Sequence, residues 1–271
     1  MDSMRITYLG DIVGTSGRQA VTSFLEIHRS EQQPDLVIAN AENARAGSGL
    51  SLDLYQKLRD AGIDGMTMGD HAYRYDKVQA LYDTPDAVVC RPANLSRNLP
   101  GKRILRIPVP GMPERHLHVL IVLGQVFMDY PCDSPFRTAD AMLDEIGEAD
   151  PLVIVEAHME ATSEKAALAH YLDGRVAAVL GSHTHVPTAD ARLLPGGTAF
   201  ISDLGMCGPG ESVLGREIPD VVRYLSTGQA TRFNVAQGPS MVNGVTLRIN
   251  TRTGRATAIE RLHAPAGAVV A

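Results

Sequence analysis

Short apolar runs separated by amphipathic stretches recur through most of this chain, and that alternation limits the folds open to it. Ile6–Leu9, Leu36–Ala39, Gly65–Met68, Val119–Leu123, Leu152–Val155, Val176–Leu180 and Thr198–Ile201 have the length and flanks of buried strands. After the first of them, Val21, Phe24, Leu25 and His28 fall at i, i+3, i+4 and i+7. That spacing predicts a helix opened by Thr15 or Ser16. Leu54, Leu58 and Ala61 predict a second helix, capped at Ser51 and closed by Gly62 in the left-handed conformation. Ala167, Leu168 and Tyr171 predict another, ended by Gly174. Strands alternating with helices in this way predict an α/β layered fold.

The C-terminal third changes character. Asn243-Gly244 suits a type I′ hairpin, and Val245, Leu247 and Ile249 alternate as a half-buried strand. Arg252-Thr253-Gly254 predicts a second turn before Ala258–Leu262. Antiparallel strands added to the main sheets are expected, in one domain spanning 1–263. The small apolar residues 264–271 carry no pattern and are expected to fray.

Composition excludes several partners. With 25 Lys+Arg against 31 Asp+Glu, the net charge of −6 argues against a long nucleic acid, whose binding rests on clustered cations. A small anionic substrate then needs local positive charge, which a bound metal supplies. Cys90, Cys132 and Cys207 are odd in number, far apart and without C-x-x-C spacing, as expected in a reducing cytoplasm. No apolar stretch approaches the roughly 18 residues that a membrane helix needs, so no membrane partner is expected.

The histidines and acids point to chemistry through their positions after strands. His183 and His185 follow Val176–Leu180 through Gly181, and a spacing of two on extended backbone predicts both imidazoles on one side. His158 follows Leu152–Val155, Asp70-His71 follow Gly65–Met68, Asp11 follows Ile6–Leu9, and Glu42-Asn43 follow Leu36–Ala39. Five strands thus each deliver metal-competent groups past their C-terminal ends, where open α/β sheets bind ligands. His116 and His118 share the H-x-H spacing but precede their apolar run, at a strand's start. Gly10, Gly14 and Gly17 lack dinucleotide-binding spacing, and Asp11 would repel a pyrophosphate; beside a metal they read as close-approach positions.

Gly10-Asp11, Glu42-Asn43, Gly69-Asp70-His71, His158 and Gly181-x-His183-x-His185 together resemble the calcineurin-like metallophosphoesterases. The match is to the bacterial branch described as 2′,3′-cyclic-nucleotide 2′-phosphodiesterases. Asp11-Ile-Val-Gly14, Ala39-Asn-Ala-Glu-Asn43, Arg91-Pro-Ala-Asn94, Ser134-Pro-Phe-Arg137, Glu160-Ala-Thr-Ser-Glu-Lys165, Tyr171-Leu-Asp-Gly-Arg175 and Leu194-Pro-Gly-Gly-Thr198 also resemble that branch, over residues 4 to about 262.

The resemblance implies a sandwich of two β-sheets flanked by helices, and a dinuclear metal site. Asp11, Asn43 and His185 would hold one ion, Asp70, His158 and His183 the other, and Glu42 would bridge them. A metal-held hydroxide would attack a small phosphodiester, a 2′,3′-cyclic nucleotide giving a 3′-nucleotide, with His71 as proton donor. Iron or manganese is the family's expectation, although imidazole plus carboxylate suits zinc equally. A homo-oligomer is expected by analogy alone. A phosphomonoesterase on the same site, and a metal-binding regulatory protein with little catalysis, are the alternatives. The chain departs from the family's usual Gly-Asn-His at Asp70, which makes three anionic ligands instead of two.

Tyr73 and Tyr75 read as packing residues more readily than as pocket lining. Arg91 and Asn94 could reach a phosphate but equally read as a structural turn.

Overall fold

The computed structural model describes residues 3–147 and 151–266. The chain opens with β1 (Ser3–Leu9), β2 (Asp11–Ile12), α1 (Gly14–Glu31), β3 (Leu36–Asn40), α2 (Leu52–Asp60), β4 (Gly65–Thr67), α3 (Gln79–Tyr82) and β5 (Val89–Cys90). A second run follows: β6 (Leu105–Val109), β7 (Met112–Leu123), α4 (Pro135–Ile146), β8 (Val153–His158), α5 (Thr162–Tyr171), β9 (Ala178–Ser182), β10 (Arg192–Leu193) and β11 (Ala199–Ile201). β12 (Met206–Pro209), α6 (Ile218–Thr227), β13 (Ser240–Asn250) and β14 (Ala256–Pro265) complete it.

Among the described residues the strands form an eight-stranded sheet, ordered β2-β12-β13-β1-β3-β4-β5 with β14 on β13, and a six-stranded sheet ordered β10-β11-β9-β8-β7-β6. β1, β3, β4 and β5 run parallel in the first, and β7, β8, β9 and β11 run parallel in the second. Side chains two apart on a strand share a face, and that period sorts the core into layers. Ile6, Tyr8, Ile38, Val119, Ile121, Ile154, Leu180 and Leu247 meet between the sheets. Leu9, Val37, Ala39 and Met66 face outward onto α1 and α2. Leu120, Val122, Val153 and Val155 face outward onto α4 and α5. Two facing sheets with helices on their outer faces are the sandwich that the resemblance implies.

Local readings meet the structure unevenly. Val21, Phe24, Leu25 and His28 are the buried stripe of α1, each large apolar member contributing about 1.5–3 kcal/mol by leaving water. Neither Thr15 nor Ser16 opens that helix; Val13 occupies the cap position without a side-chain bond, and the two hydroxyl residues lie in the first turn. Ser51 does cap α2, accepting from the Leu54 amide, and Gly62 beyond it has φ +101°.

The type I′ hairpin at Asn243-Gly244 is not formed. Both residues lie inside β13, which is paired with β1 on one side and β14 on the other. Gly244 is there for closeness, since a Cβ would sit 2.2 Å from the Tyr8 carbonyl oxygen. The hairpin turn falls at Arg252-Thr253-Gly254, between β13 and β14. Ala264 and Pro265, expected in the fraying tail, instead belong to β14; residues 267–271 lie outside the described residues. Among the described residues no helix is long and apolar enough to cross a membrane.

Candidate metal centre

All seven expected ligands gather where the parallel strands of both sheets end. Asp11 lies in β2, Glu42 and Asn43 follow β3, and Asp70 and His71 follow β4. His158 is the last residue of β8, and His183 and His185 follow β9. Two groups of ligand atoms each lie within 4.8 Å of one another: Asp70, His158 and His183, and Asp11, Glu42 and His158. His158 Nε2 is 3.0 Å from Asp70 Oδ1 and 3.3 Å from Glu42 Oε1. His183 Nδ1 is 3.2 Å from that same nitrogen and 3.4 Å from Asp70 Oδ1. Gly69 makes the approach feasible, because a Cβ there would sit 2.3 Å from His158 Nε2 and 2.4 Å from Glu42 Oε2.

The two histidines of Gly181-x-His183-x-His185 do not share a side of an extended strand. β9 ends at Ser182, and His183 and His185 have φ of +93° and +66°. Such backbone costs energy for a side-chain-bearing residue and persists only where surroundings enforce it. Asp203 enforces it here: its Oδ2 accepts from the amide and hydroxyl of Thr184 and from Lys165 Nζ at 2.7 Å, with Asp203 and Lys165 both buried. Breaking such a buried pair costs about 3–5 kcal/mol. The bend sends the rings to different neighbours. His183 turns Nδ1 to His158 and Asp70, while His185 lies with Nε2 3.9 Å from Asp11 Oδ1.

Asn43 is oriented less simply. Its Nδ2 donates to Glu42 Oε1 and to His185 Nε2, and its Oδ1 lies 2.7 Å from His71 Nδ1. The His71 backbone amide donates to Glu42 Oε2, and its half-buried ring places Nε2 3.5 Å from Asp70 Oδ2.

The electrostatics indicate a site built for a cation. Burial would raise Glu42, but the charge and hydrogen bond of His158 hold its carboxyl below the usual range. Burial likewise opposes Asp70, yet hydrogen bonds from His158 and His183 push it far below. His158 should be lowered by burial, but Glu42 and Asp70 push it well above an ordinary imidazole. Burial lowers His185. Asp11 is pushed well up, by burial first and then by Glu42 against the pull of His158. Its Oδ1 is buried and has no hydrogen-bond partner. Carboxylates and imidazoles aimed at one another, one oxygen orphaned, are a donor set that fits metal ions; binding would displace the shared protons.

Several supporting residues were not read from the sequence as site residues. Glu160 Oε2 lies 3.4 Å from His183 Nε2, and the Leu214 carbonyl oxygen lies 3.1 Å from His185 Nδ1. Glu156 is buried among four donors, Tyr8, Asn40, Thr67 and Ser182. A signal existed for Glu156: one acid two residues before His158, inside an apolar strand. His118 is buried in the middle of β7, beside Val153 at the start of β8, and Arg91 is buried with its guanidinium on carbonyls of Pro92, Leu95, Ser96 and Leu99. Asn94 bonds Leu123 and Asp133, so both members of that turn are structural. The Tyr73 hydroxyl donates to the Pro100 carbonyl, and Tyr75 lies under the Arg45 guanidinium. Gly10 and Gly17 are close-approach positions, against Gly205 and Cys207.

Two facing sheets with helices outside, and acids and imidazoles collected at the strand ends, define the metallophosphoesterase class. The chain belongs to the YmdB-like protein family, whose profile matches residues 7–262. It is 39% identical over 260 residues to a 2′,3′-cyclic-nucleotide 2′-phosphodiesterase of Bacillus subtilis, covering 96% of each chain. A crystal structure described as a novel phosphatase from Mycoplasma pneumoniae superposes with a TM-score of 0.90 at 33% identity, covering 98% of this chain and 94% of that one. That of a hypothetical protein from Thermus thermophilus superposes with a TM-score of 0.88 at 42% identity, covering 97% and 100%. The family implies divalent metals, in keeping with the two groups of candidate ligands.

Proposed function

We propose that this chain is a two-metal phosphodiesterase of small cyclic phosphodiesters, 2′,3′-cyclic nucleotides opened to 3′-nucleotides. The observation that carries the reading is the pair of ligand groups sharing His158 at the sheets' common edge. The chain is a phosphoric diester hydrolase, as the Bacillus subtilis relative's name supports. Asp70, His158 and His183 would hold one ion and Asp11, Asn43 and His185 the other, with Glu42 available to both. Iron or manganese is the proposed pair. When bound, such ions polarise the phosphate and activate water at neutral pH.

The chain's own residues do the rest. Asn43 serves as a ligand after a half-turn of its amide, which brings the oxygen inward and the NH₂ onto His71 Nδ1. That exchange makes Nδ1 an acceptor, so the His71 proton sits on Nε2 at the open rim. From there it can be given to the leaving oxygen, the general-acid step that a poor leaving alkoxide requires. Free cysteines and an acidic composition suit a cytoplasmic setting.

Metal analysis joined to hydrolysis assays tests the reading. The substrates are bis(p-nitrophenyl) phosphate, 2′,3′-cyclic nucleotides and p-nitrophenyl phosphate. Two metal equivalents and 3′-nucleotide product are expected, with Glu42→Gln falling to background and losing metal. A metal-loaded chain that leaves every diester intact, or a Glu42→Gln variant with full activity, would overturn it. Faster turnover of the monoester would instead select a phosphatase, the activity by which the Mycoplasma pneumoniae structure is described.

A further inference from the structure

Ile154, Glu156 and His158 are alternate residues of β8 and point into the space between the sheets. That space therefore changes along one strand from apolar core, to a buried carboxylate, to the metal-competent imidazole. Glu156 is fully buried, and four donors from four other strands meet its two oxygens. Oε1 accepts from Asn40 Nδ2 at 2.7 Å and Ser182 Oγ at 2.6 Å; Oε2 accepts from Tyr8 at 2.6 Å and Thr67 at 2.5 Å. No cation lies among these partners, so the charge is balanced by hydrogen bonds alone.

The consequence follows from counting protons. The Ser182 hydroxyl has one hydrogen, and it goes to Glu156. Ser182 Oγ is also 2.8 Å from His158 Nδ1, so in that contact the hydroxyl can only accept. His158 must then carry a proton on Nδ1, which leaves Nε2, the atom facing Glu42, Asp70 and His183, as the ligand nitrogen. The same Glu156 oxygen has a second link: Asn40 gives its NH₂ to Oε1, and its own Oδ1 accepts from the Glu42 backbone amide. One carboxylate thus sets the ring of His158 through Ser182 and the backbone of Glu42 through Asn40.

We propose that Glu156 is the positioning residue of the centre, acting through Ser182 to fix the His158 tautomer and through Asn40 to place Glu42. The proposal rests on the metal-site reading above. A partner that orients a ligating histidine changes metal affinity by about 10- to 100-fold when removed. Glu156 differs from the other supports, since Glu160 is half exposed and Leu214 offers only a carbonyl.

The test uses the full chain, as wild type, Ser182→Ala, Glu156→Gln and Glu160→Ala. Mn²⁺ affinity is measured by calorimetry, and the His158 Nδ1 proton is followed by ¹⁵N-resolved NMR in metal-free and Zn²⁺-loaded protein. In wild type that proton should be present, bonded and slow to exchange in both states. Ser182→Ala should lose its protection and weaken Mn²⁺ binding by about 10- to 100-fold while melting within a few degrees of wild type; Glu160→Ala should keep it. Glu156→Gln covers the case in which Ser182→Ala fails to fold, and should perturb the same resonance. A proton on Nε2 in Zn²⁺-loaded wild type, or a folded Ser182→Ala with unchanged resonance and affinity, would overturn the proposal. If wild type binds neither metal, the functional reading fails by itself, while the metal-free resonance still decides the relay.

Discussion

The two ligand groups share His158 but meet water differently. Asp11, Glu42 and His158 are buried, whereas Asp70 and His183 stand at the rim beside His71 and Glu160. In the deep group an oxygen without a partner can be satisfied only by a cation or a proton. At the rim, water and neighbouring side chains can substitute for a missing contact. The difference separates holding from reacting: the deep half suits retention of charge, and the open half suits entry of a phosphate and transfer of a proton. Substitutions that touch one half only can therefore break or sharpen this division.

The largest effect expected is at the rim. His71→Ala should keep both metals and lose about 10²- to 10⁴-fold in kcat on diesters with poor leaving groups, with a smaller loss on p-nitrophenyl esters. Equal rates on both substrates would remove His71 from the proton transfer. Asp11→Asn addresses the deep half. A carboxyl whose folded pKa is raised destabilises the metal-free protein above its unfolded pKa, so the neutral amide should leave metal-free melting unchanged or higher. The same variant should lose most of the melting increase that Mn²⁺ gives wild type, and a normal Mn²⁺ response would contradict the deep-half assignment.

Asp70→Asn replaces a carboxylate with an amide and removes one anionic candidate ligand at the rim. A several-fold rise in turnover with metal retained is expected, and loss of both metal and activity would refute it. The smallest effect on the reaction belongs to His28, outside both groups, stacked on Phe24 and bonded to Thr7. Burial first, then Arg29 and Arg5, lowers it from 6.5 to about 4. The folded state holds its neutral ring, so the stability is complete above pH 6.5 and is lost as pH falls from 6.5 towards 4. The loss amounts to roughly 3 kcal/mol. His28→Gln should flatten that slope in urea titrations and leave turnover unchanged.

How much of this was legible in the sequence varies by residue. The positions of Asp11, Glu42, Asp70, His158, His183 and His185 just past apolar runs were enough to bring them to one edge, because parallel strands end together. The capping of α2 by Ser51 was legible because a cap is a local bond. The Asn243-Gly244 hairpin was misread because turn preference is weak against a long partner. β1 and β14 pair with the strand on both sides, and only a glycine fits against Tyr8.

By itself, then, the sequence determined the layers and the stock of ligands, since periodicity and strand-end position are short-range properties. Tertiary structure decided how those ligands are aimed. Asp203 and Lys165 hold His183 and His185 in left-handed backbone, and Glu156 sets His158 through Ser182 on the neighbouring strand. Asp203, Lys165 and Ser182 lie many residues from the groups they orient, and Glu156, two residues before His158, reaches it only through Ser182. Burial and exact hydrogen-bond geometry, which appear only when two sheets close on one another, determine which atom faces a metal.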